Sequence, residues 1–571
     1  MVRMGGDFSS EFRKEIMLNK SNLTLTSMAN KTWSGGRFTQ RQFNSYSLNA
    51  DLIFTGGGTI TRGISLNYTA GANYTDNTQK QTSLGANELT VPDLFTISNT
   101  KGTPVTGMFD SHARSNSIFG QASLGYKDYL YLDLTARNDW NSSLPMGNWS
   151  YFYPSASLSW IFTNTFHINP AFVNYGKLRT SWAKVGNGTS PYQLDATYSA
   201  NTSGFNGVSL YALSTTLPPI DLLPESAKSI EIGTELQFAR GRFSLDATYY
   251  SKTTTNQIMR VNLSGSTGFT SMLLNAGEIE NKGVELQLGI GIIRSATKGF
   301  EWDMNINWAK NSNKVNKLYE DPETHQKLTS YNITSAWSLT IDAIPGQAWG
   351  AMRGASFSRD NSGAIIVGTD GLPKYNSTPT ILGNITPDWV GGITNNLSYK
   401  NLHLNFLLDF RKGGDIISVT QWFGYQSGVL AATANGGIRE NGLIVGKDVL
   451  QDEKVVKEDG SKNDIRVVAQ DYFHSLWGGK ETSLVDGSFI KLRQIELGYT
   501  LPSQVTNKLP WLQGASVSLF AHNVALLYTS KSNVAHIDPE TGFGAGNDGL
   551  GIEQYQIPSN RSIGIKLNVN F

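Results

Sequence analysis

Apolar and polar side chains alternate with a period of two along most of this chain, and the last ten residues, SIGIKLNVNF, give the pattern in its purest form. Ile563, Ile565, Leu567, Val569 and Phe571 share one side of an extended ribbon, and Ser562, Gly564, Lys566, Asn568 and Asn570 share the other, because successive strand side chains point to opposite faces. ISLNYTAGANY, Ile64 to Tyr74, repeats the pattern. So do Tyr46 to Phe54, Leu130 to Arg137, Ala156 to Phe162, Ile230 to Phe238, Phe243 to Tyr249, Val284 to Ile292, Trp302 to Trp308, Leu402 to Phe410 and Ala515 to Ala521. This criterion predicts about sixteen strands and an all-β chain.

The connections alternate as well. Tyr126-Lys127-Asp128, Ala239-Arg240-Gly241, Arg294 to Gly299 and Tyr399-Lys400-Asn401 read as tight turns. Between them lie long polar stretches: Thr75 to Ser115, Val185 to Lys228, Ser251 to Lys282, Asn311 to Asp388, Lys412 to Asp486 and Thr529 to Asn560. A transmembrane antiparallel β-barrel has this asymmetry, with short periplasmic turns, long extracellular loops and strands apolar on one side only. A soluble sandwich or propeller shares the alternation. The barrel is favoured by strands near the 9 to 11 residues that a tilted membrane strand needs. It is also favoured by aromatics at both strand ends: Phe54, Tyr126, Phe162, Phe238, Trp302 and Tyr399 near the short turns, and Tyr74, Trp182, Tyr249 and Trp308 near the long ones.

In a barrel the polar side faces the lumen. The charged residues expected there are Asp133, Arg137, Glu231, Glu235, Asp246, Glu285, Asp303 and Asp409, because an unpaired charge turned to lipid costs about 2–4 kcal/mol. Packing and mutual ion pairing is the plainer role for each. Ligand contact is expected in the long loops, where Trp140, Trp149 and Tyr151, then Trp337 and Trp349, then Trp422, Phe423 and Tyr425 stand among amide side chains. Aromatic faces with such neighbours suit oligosaccharides or peptides, and the alternative is that these rings pack the loops together.

Composition narrows the remaining classes. With 47 Lys and Arg against 46 Asp and Glu, the 571-residue chain has a net charge of +1 and lacks the basic field that nucleic-acid binding uses. There is no cysteine, which excludes disulfides, a thiolate metal site and a lipid anchor on cysteine. No run approaches the roughly 20 apolar residues of a spanning helix. MVRMGGDFSSEFRKEIMLNK has no apolar signal-peptide core, so an exported protein would be represented by a mature or truncated chain.

Catalytic motifs are absent. The seven His show no metal-binding spacing, there is no GxSxG, and the GxGxxG of Gly544 to Gly549 reads as loop rather than as the turn into a helix. No cofactor or resident metal is expected. The only candidate is weak: Asp538, Glu540 and Asp548 supply oxygen ligands of the kind Ca²⁺ takes, and a solvated loop is the simpler reading.

Several ordered blocks together resemble the SusC/RagA-type TonB-dependent transporters of the Bacteroidetes outer membrane. They are RNDWNSSLP with YFYPSASLSW, KLRTSWAKVGN, LLPESAKSIEIGTEL, NAGEIENKGVEL, PDWVGGITNNLSYKNLHLNFLLDFRKGGDI, FIKLRQIELGYTLP and AHNVALLYTSKSNVAHIDPE. The resemblance implies a barrel of about 22 strands with a plug, of which residues 1–571 form the C-terminal part. Signal peptide, N-terminal domain, TonB box and plug are not in this chain. It further implies TonB-driven import of oligosaccharides or peptides with a SusD-like lipoprotein partner, contact of the polar face with the plug, and Phe571 as a terminal signal for insertion. A barrel with open edges would leave backbone groups facing lipid, so the missing strands are expected to be needed. The competing expectations are a closed sixteen-stranded porin or a barrel-based adhesin.

Overall fold

The computed structural model describes all residues except 19–35, 167, 170, 206–207, 295–298, 322, 507, 509–510 and 543–550, together with the side chains of 201–205. Sixteen strands form one antiparallel sheet in which each lies beside its predecessor in the chain. They are β1 Val2–Met17, β2 Arg37–Thr61, β3 Ile64–Ala86, β4 Val105–Tyr126, β5 Leu130–Asn141, β6 Ser150–Trp160, β7 Val173–Asn187 and β8 Glu225–Phe238. The second eight are β9 Phe243–Thr255, β10 Glu278–Arg294, β11 Phe300–Lys317, β12 Pro387–Tyr399, β13 Leu402–Gly413, β14 Phe489–Thr500, β15 Gly514–Thr529 and β16 Ser562–Asn570. No helix among the described residues is long and apolar enough to cross a membrane.

Short and long connections alternate with one exception: 142–149 is shorter than 161–172 and 501–513. In chain order the strands are separated by 18–36, 62–63, 87–104, 127–129, 142–149, 161–172, 188–224, 239–242, 256–277, 295–299, 318–386, 400–401, 414–488, 501–513 and 530–561.

One expectation is corrected. Thr75 to Ser115 is not one long loop, because Thr75–Gly85 of β3 pairs residue by residue with Val105–Ser115 of β4. The N-terminal segment is likewise a strand, paired with β2 from Val2↔Leu52 to Met17↔Arg37. Thr75–Gly85 and Val105–Ser115 carry no regular apolar alternation, so a count of it passes over them, although ladder hydrogen bonds form whatever the side chains; β1 does alternate, with Val2, Met4, Phe8, Phe12 and Ile16 exposed on one side. As a result β2, β3 and β4 reach 25, 23 and 22 residues.

Contacts divide the chain into two compact units: Met1–Leu158 with Trp182–Lys228 and Asn256–Ala276, and Ser159–Ser181 with Ser229–Thr255 and Gly277–Phe571. In the second unit the register sets whole rows of side chains on one face. Phe300, Tyr399, Leu402, Tyr499, Val517 and Leu567 align across six strands, and the next row is Trp302, Leu397, Leu404, Leu497, Leu519 and Ile565. These rows are uncovered. Leu497, Tyr499, Val517, Leu519, Ile565 and Leu567 are 41–73% exposed. A water-soluble sheet would bury such a face beneath a second layer.

Dry packing is found instead among the long connections. One cluster gathers Phe357, Ile365, Val367, Leu443, Val445, Tyr472, Phe473 and Leu476, and another Leu339, Ile341, Met352, Ile417 and Ile552. In the first unit the corresponding clusters are smaller: Phe38, Ala86 and Leu89, and Leu144, Leu222 and Leu273. The strands are bare where a soluble protein is dry, and the loops are dry where a soluble protein is wet.

Candidate functional site: a charged sheet face and an aromatic loop cluster

The face opposite the apolar rows is polar and its charges are paired. In the first unit Arg3, Asp51, Asn73, Ser117 and Asp139 stand in one row across five strands. Asp51 accepts from Arg3 Nη2 at 2.6 Å and from Asn73 Nδ2 at 2.7 Å. Arg137 donates through Nε to Asp139 at 2.7 Å and through Nη2 to Ser117 at 2.7 Å, and Asp133 accepts from Ser157 at 3.5 Å.

In the second unit Arg179 holds the centre. It donates to Glu235 at 2.8 Å and to both oxygens of Asp246, at 2.6 and 3.0 Å, while Lys177 adds a bond to Glu235 at 3.1 Å. The side-by-side geometry of a guanidinium on a carboxylate fixes both partners. Glu285 lines a recess of about 380 Å³ with Arg179, Asp246, Thr248, Gln287 and Asn307. Asp303 accepts from Arg294 at 3.5 Å, Asp409 accepts from Arg493, and Glu231 is exposed. Seven of the eight predicted polar-face charges therefore stand in ion pairs, hydrogen bonds or a shared polar recess.

The acidic stretch proposed for Ca²⁺ is occupied otherwise. Lys491, 6% exposed, donates to Asp538 at 2.6 Å and also to Glu540, and Arg493 binds Glu540 through Nη1 and Nη2, each at 2.7 Å. Burial opposes ionisation of both carboxyls, but the hydrogen bonds from Lys491 and Ser559 to Asp538, and from Arg493 and Lys491 to Glu540, outweigh it and hold them below their usual range. Asp548, like the GxGxxG of Gly544 to Gly549, lies outside the described residues. No group of three or more metal-ligating side chains occurs among the described residues.

The loop aromatics part company. Trp140 and Tyr151 are on strands β5 and β6 rather than in a loop, since the ladders continue past the last clean alternation. Tyr151 packs against the Leu144, Leu222 and Leu273 cluster. Trp149 is exposed in the connection between those strands. The Trp349 backbone N–H donates to Asn313 at 2.7 Å.

Trp337, Trp422 and Phe423 converge. Trp422 stacks on Trp477 with centroids 4.2 Å apart, and Trp337 meets Phe423 at 5.0 Å, Trp422 at 6.2 Å and Trp477 at 6.4 Å, all edge-on. Tyr555 adds its ring to Phe423 at 5.8 Å. Trp422 is 2% exposed, so its own faces are taken up by packing; the accessible rings are Trp477 at 46% and Tyr555 at 54%. Tyr425 is separate, stacked on Phe473 at 5.6 Å.

Two local features aim this cluster. Trp337 and Ser338 both have left-handed backbones, φ 52° and 65°, and form a two-residue hairpin turn that usually takes Asn-Gly. Ser418 caps the helix Val419–Gln426 by accepting from the Gln421 N–H, and its hydroxyl is held by the buried Glu553 at 2.6 Å. Behind the rings lies Lys480, 5% exposed, with Nζ 3.7 Å from the Trp422 ring centroid and bonded to the Trp477 carbonyl at 3.1 Å. Burial pulls this ammonium down to about 8. Sequence reasoning missed Trp477, Lys480 and Tyr555. The signal for Trp477 was present in DYFHSLW, a short helical run with aromatics on the buried side; nothing local marked the other two.

An uncovered apolar band, a charged opposite face and long connections between strands define an integral β-barrel of the outer membrane. The "TonB dependent receptor-like, beta-barrel" family model matches residues 2–378, more than half of the chain, and the chain belongs to that family. TonB-dependent receptor P26 of Formosa agariphila is 27% identical over 490 residues, which is 80% of this chain and 46% of the relative. TonB-dependent receptor P3 of the same organism is 25% identical over 505 residues, 83% of this chain and 47% of the relative. The chain spans about half the length of these relatives. Among solved structures, the RagAB peptide importer in its closed-closed state superimposes with a TM-score of 0.76 at 18% identity, covering 100% of this chain and 60% of that one. The resemblance to SusC/RagA-type transporters and the barrel fold class are borne out.

Proposed function

We propose that this chain is the barrel portion of an outer-membrane importer for oligosaccharides or peptides, coupled to TonB through sequence outside it and working with a SusD-like surface lipoprotein. The observation that carries the reading is the pairing of an ion-paired polar sheet face with a packed loop assembly whose exposed rings, Trp477 and Tyr555, flank a buried aromatic anchor. Rings of this kind give broad stacking faces to sugar rings and to peptide side chains. The RagAB structure, a peptide importer by its description, supports the peptide arm, and the membership in the TonB-dependent family supports energised import over free diffusion.

The polar face would then line the passage and contact the plug, with Arg179, Glu235 and Asp246 as fixed points. Phe571 would act as the terminal signal for insertion. Of the loop residues, Trp337, Trp349, Trp149 and Tyr425 stay candidates beside Trp477 and Tyr555, with Trp422 serving as their support.

The test is uptake. A strain lacking the gene is offered labelled oligopeptides and oligosaccharides, with and without a functional TonB. The expected result is loss of uptake of one class on deleting the gene, loss likewise when TonB alone is removed from the parent strain, and loss on Trp477→Ala with normal barrel levels in the membrane. Uptake that persists without TonB, or a steady ionic conductance of the intact protein in planar bilayers, would point to the porin instead.

A further inference from the structure

Two of the short turns, one in each compact unit, repeat the same arrangement. In the first, Lys127 has a left-handed backbone, φ 48°, and its N–H donates to the Gly63 carbonyl of the neighbouring turn at 2.7 Å. Gly63 has φ 85°, and a Cβ there would stand 3.0 Å from Lys127 Cγ, so the close approach needs glycine. Lys127 Nζ lies 5.2 Å from the centroid of the Tyr126 ring. In the second, Lys400 has φ 53°, its N–H donates to Gly299 at 2.9 Å, Gly299 has φ 65°, and Nζ lies 5.4 Å from the Tyr399 ring. The local sequences agree, Tyr-Lys-Asp in one and Tyr-Lys-Asn in the other.

Both lysines are exposed, and neither forms an ion pair among the described residues, although Asp128 follows Lys127 directly. The contrast is the turn of residues 239–242, whose Arg242 spends its guanidinium on the carbonyls of Gly291 and Ile292 at 2.7 and 2.6 Å. Lys127 and Lys400 have no such use. Their backbones are tied to a neighbouring glycine; the Lys127 ammonium hydrogen-bonds the Tyr126 side chain, and that of Lys400 lies beside the Tyr399 ring.

The depth is fixed by the register. Tyr126 shares its row with Ile64 and Leu130, and Tyr399 with Phe300, Leu402 and Tyr499. The next rows inward are Leu66, Leu124 and Leu132 in one case, and Trp302, Leu397, Leu404 and Leu497 in the other. Each tyrosine thus lies in the outermost strand row of the lipid-facing band, 38% and 49% exposed, with Tyr129 of the turn edge-on to Tyr126 at 5.5 Å. An ammonium beside it stands at the level of the lipid headgroups, where the anion available is a phosphate.

We infer that each Tyr–Lys turn is a clip for the headgroup of an anionic phospholipid on the short-turn side of the membrane, with Tyr126 or Tyr399 against the glycerol region and Lys127 or Lys400 on the phosphate. The inference rests on the outer-membrane placement and not on the identity of the imported ligand. It therefore stands or falls separately from the uptake experiment.

The full-length protein is purified in mild detergent and offered phosphatidylglycerol or phosphatidylcholine, and retained lipid is counted by native mass spectrometry. Phosphatidylglycerol is expected to be retained preferentially, with the apparent affinity falling about fivefold for each of Lys127→Gln and Lys400→Gln. Lys531→Gln, in a long connection, leaves retention unchanged, and Lys127→Arg with Lys400→Arg keeps it. Equal retention of the two lipids by the unaltered protein overturns the inference whether or not any variant folds. So does full retention by the double Gln variant with unaltered heat-modifiable migration. Displacement of the lipid by millimolar inorganic phosphate would reassign the sites to free anion.

Discussion

Lys480 shows how a single buried charge carries a pH signature. Its folded-state ammonium is depressed to about 8 from an ordinary 10.5. Between those values the unfolded chain holds a proton that the folded chain has released, so unfolding takes one up and stability rises with pH across that window. Lys480→Met removes the dependence. The difference in denaturant midpoint between wild type and variant, read by tryptophan fluorescence, is expected to grow in favour of wild type from pH 8 to 10; a constant difference contradicts the assignment. Asp538 and Glu540 act in the same sense at lower pH. They are held below their usual range, so the stability they contribute is present at neutral pH and lost as pH falls through the carboxylate range. Lys491→Met leaves Asp538 without its cation at a cost of about 3–5 kcal/mol. Protease cleavage within residues 530–560 is expected to rise sharply at pH 7 and to subside near pH 4, where protonation removes the stranded charge.

At the scale of elements, the consequence of alternation is that neighbouring positions on one strand tolerate opposite substitutions. Leu497 and Glu496 are adjacent on β14, with Leu497 51% exposed on the apolar side. Leu497→Arg, one row in from the headgroup level, is expected to destabilise the folded barrel by about 1–2 kcal/mol, between the interfacial and mid-membrane costs, and Glu496→Gln by less than 1 kcal/mol. Urea unfolding in lipid vesicles, followed by heat-modifiable migration, measures both. The hairpin at Trp337 and Ser338 offers a milder change. Ser338→Gly relieves a left-handed serine and is expected to add up to about 1 kcal/mol, seen as slower proteolysis of residues 331–343.

These same elements explain what was legible in the sequence. Most strands with one apolar face announced themselves by period, and the short turns by Gly, Asn and Asp; β16 was readable to within one residue, whereas β1, apolar on one face as well, was passed over. The upper parts of β3 and β4 were not readable, because they carry no regular apolar alternation. The loop assembly was not readable either. Its core joins residues more than a hundred positions apart, as when Gln421 binds the backbone N–H groups of Val534 and Ala535, and no local pattern records such a meeting. Trp337, Trp422 and Phe423 were singled out as aromatic loop residues, but which rings stay accessible depends on Trp477 and Tyr555, which reach them from distant segments.

For the molecule as a whole, the distribution of dryness assigns separate environments to its parts. The strand faces draw their stability from lipid, and the connections draw theirs from cores of their own, so detergent that strips lipid is expected to act on the former first. The 22–25-residue strands β2, β3 and β4 add a geometric consequence. At about 3.3 Å per residue a ribbon of that length measures on the order of 75 Å along its axis, against an apolar band roughly 25 Å tall. Even when steeply slanted, such ribbons project beyond the bilayer as a stiff palisade. Anything that must reach the cell's skin, whether an antibody, a phage fibre or a scavenged polymer, meets this fence of Ser, Thr, Asn and Gln first.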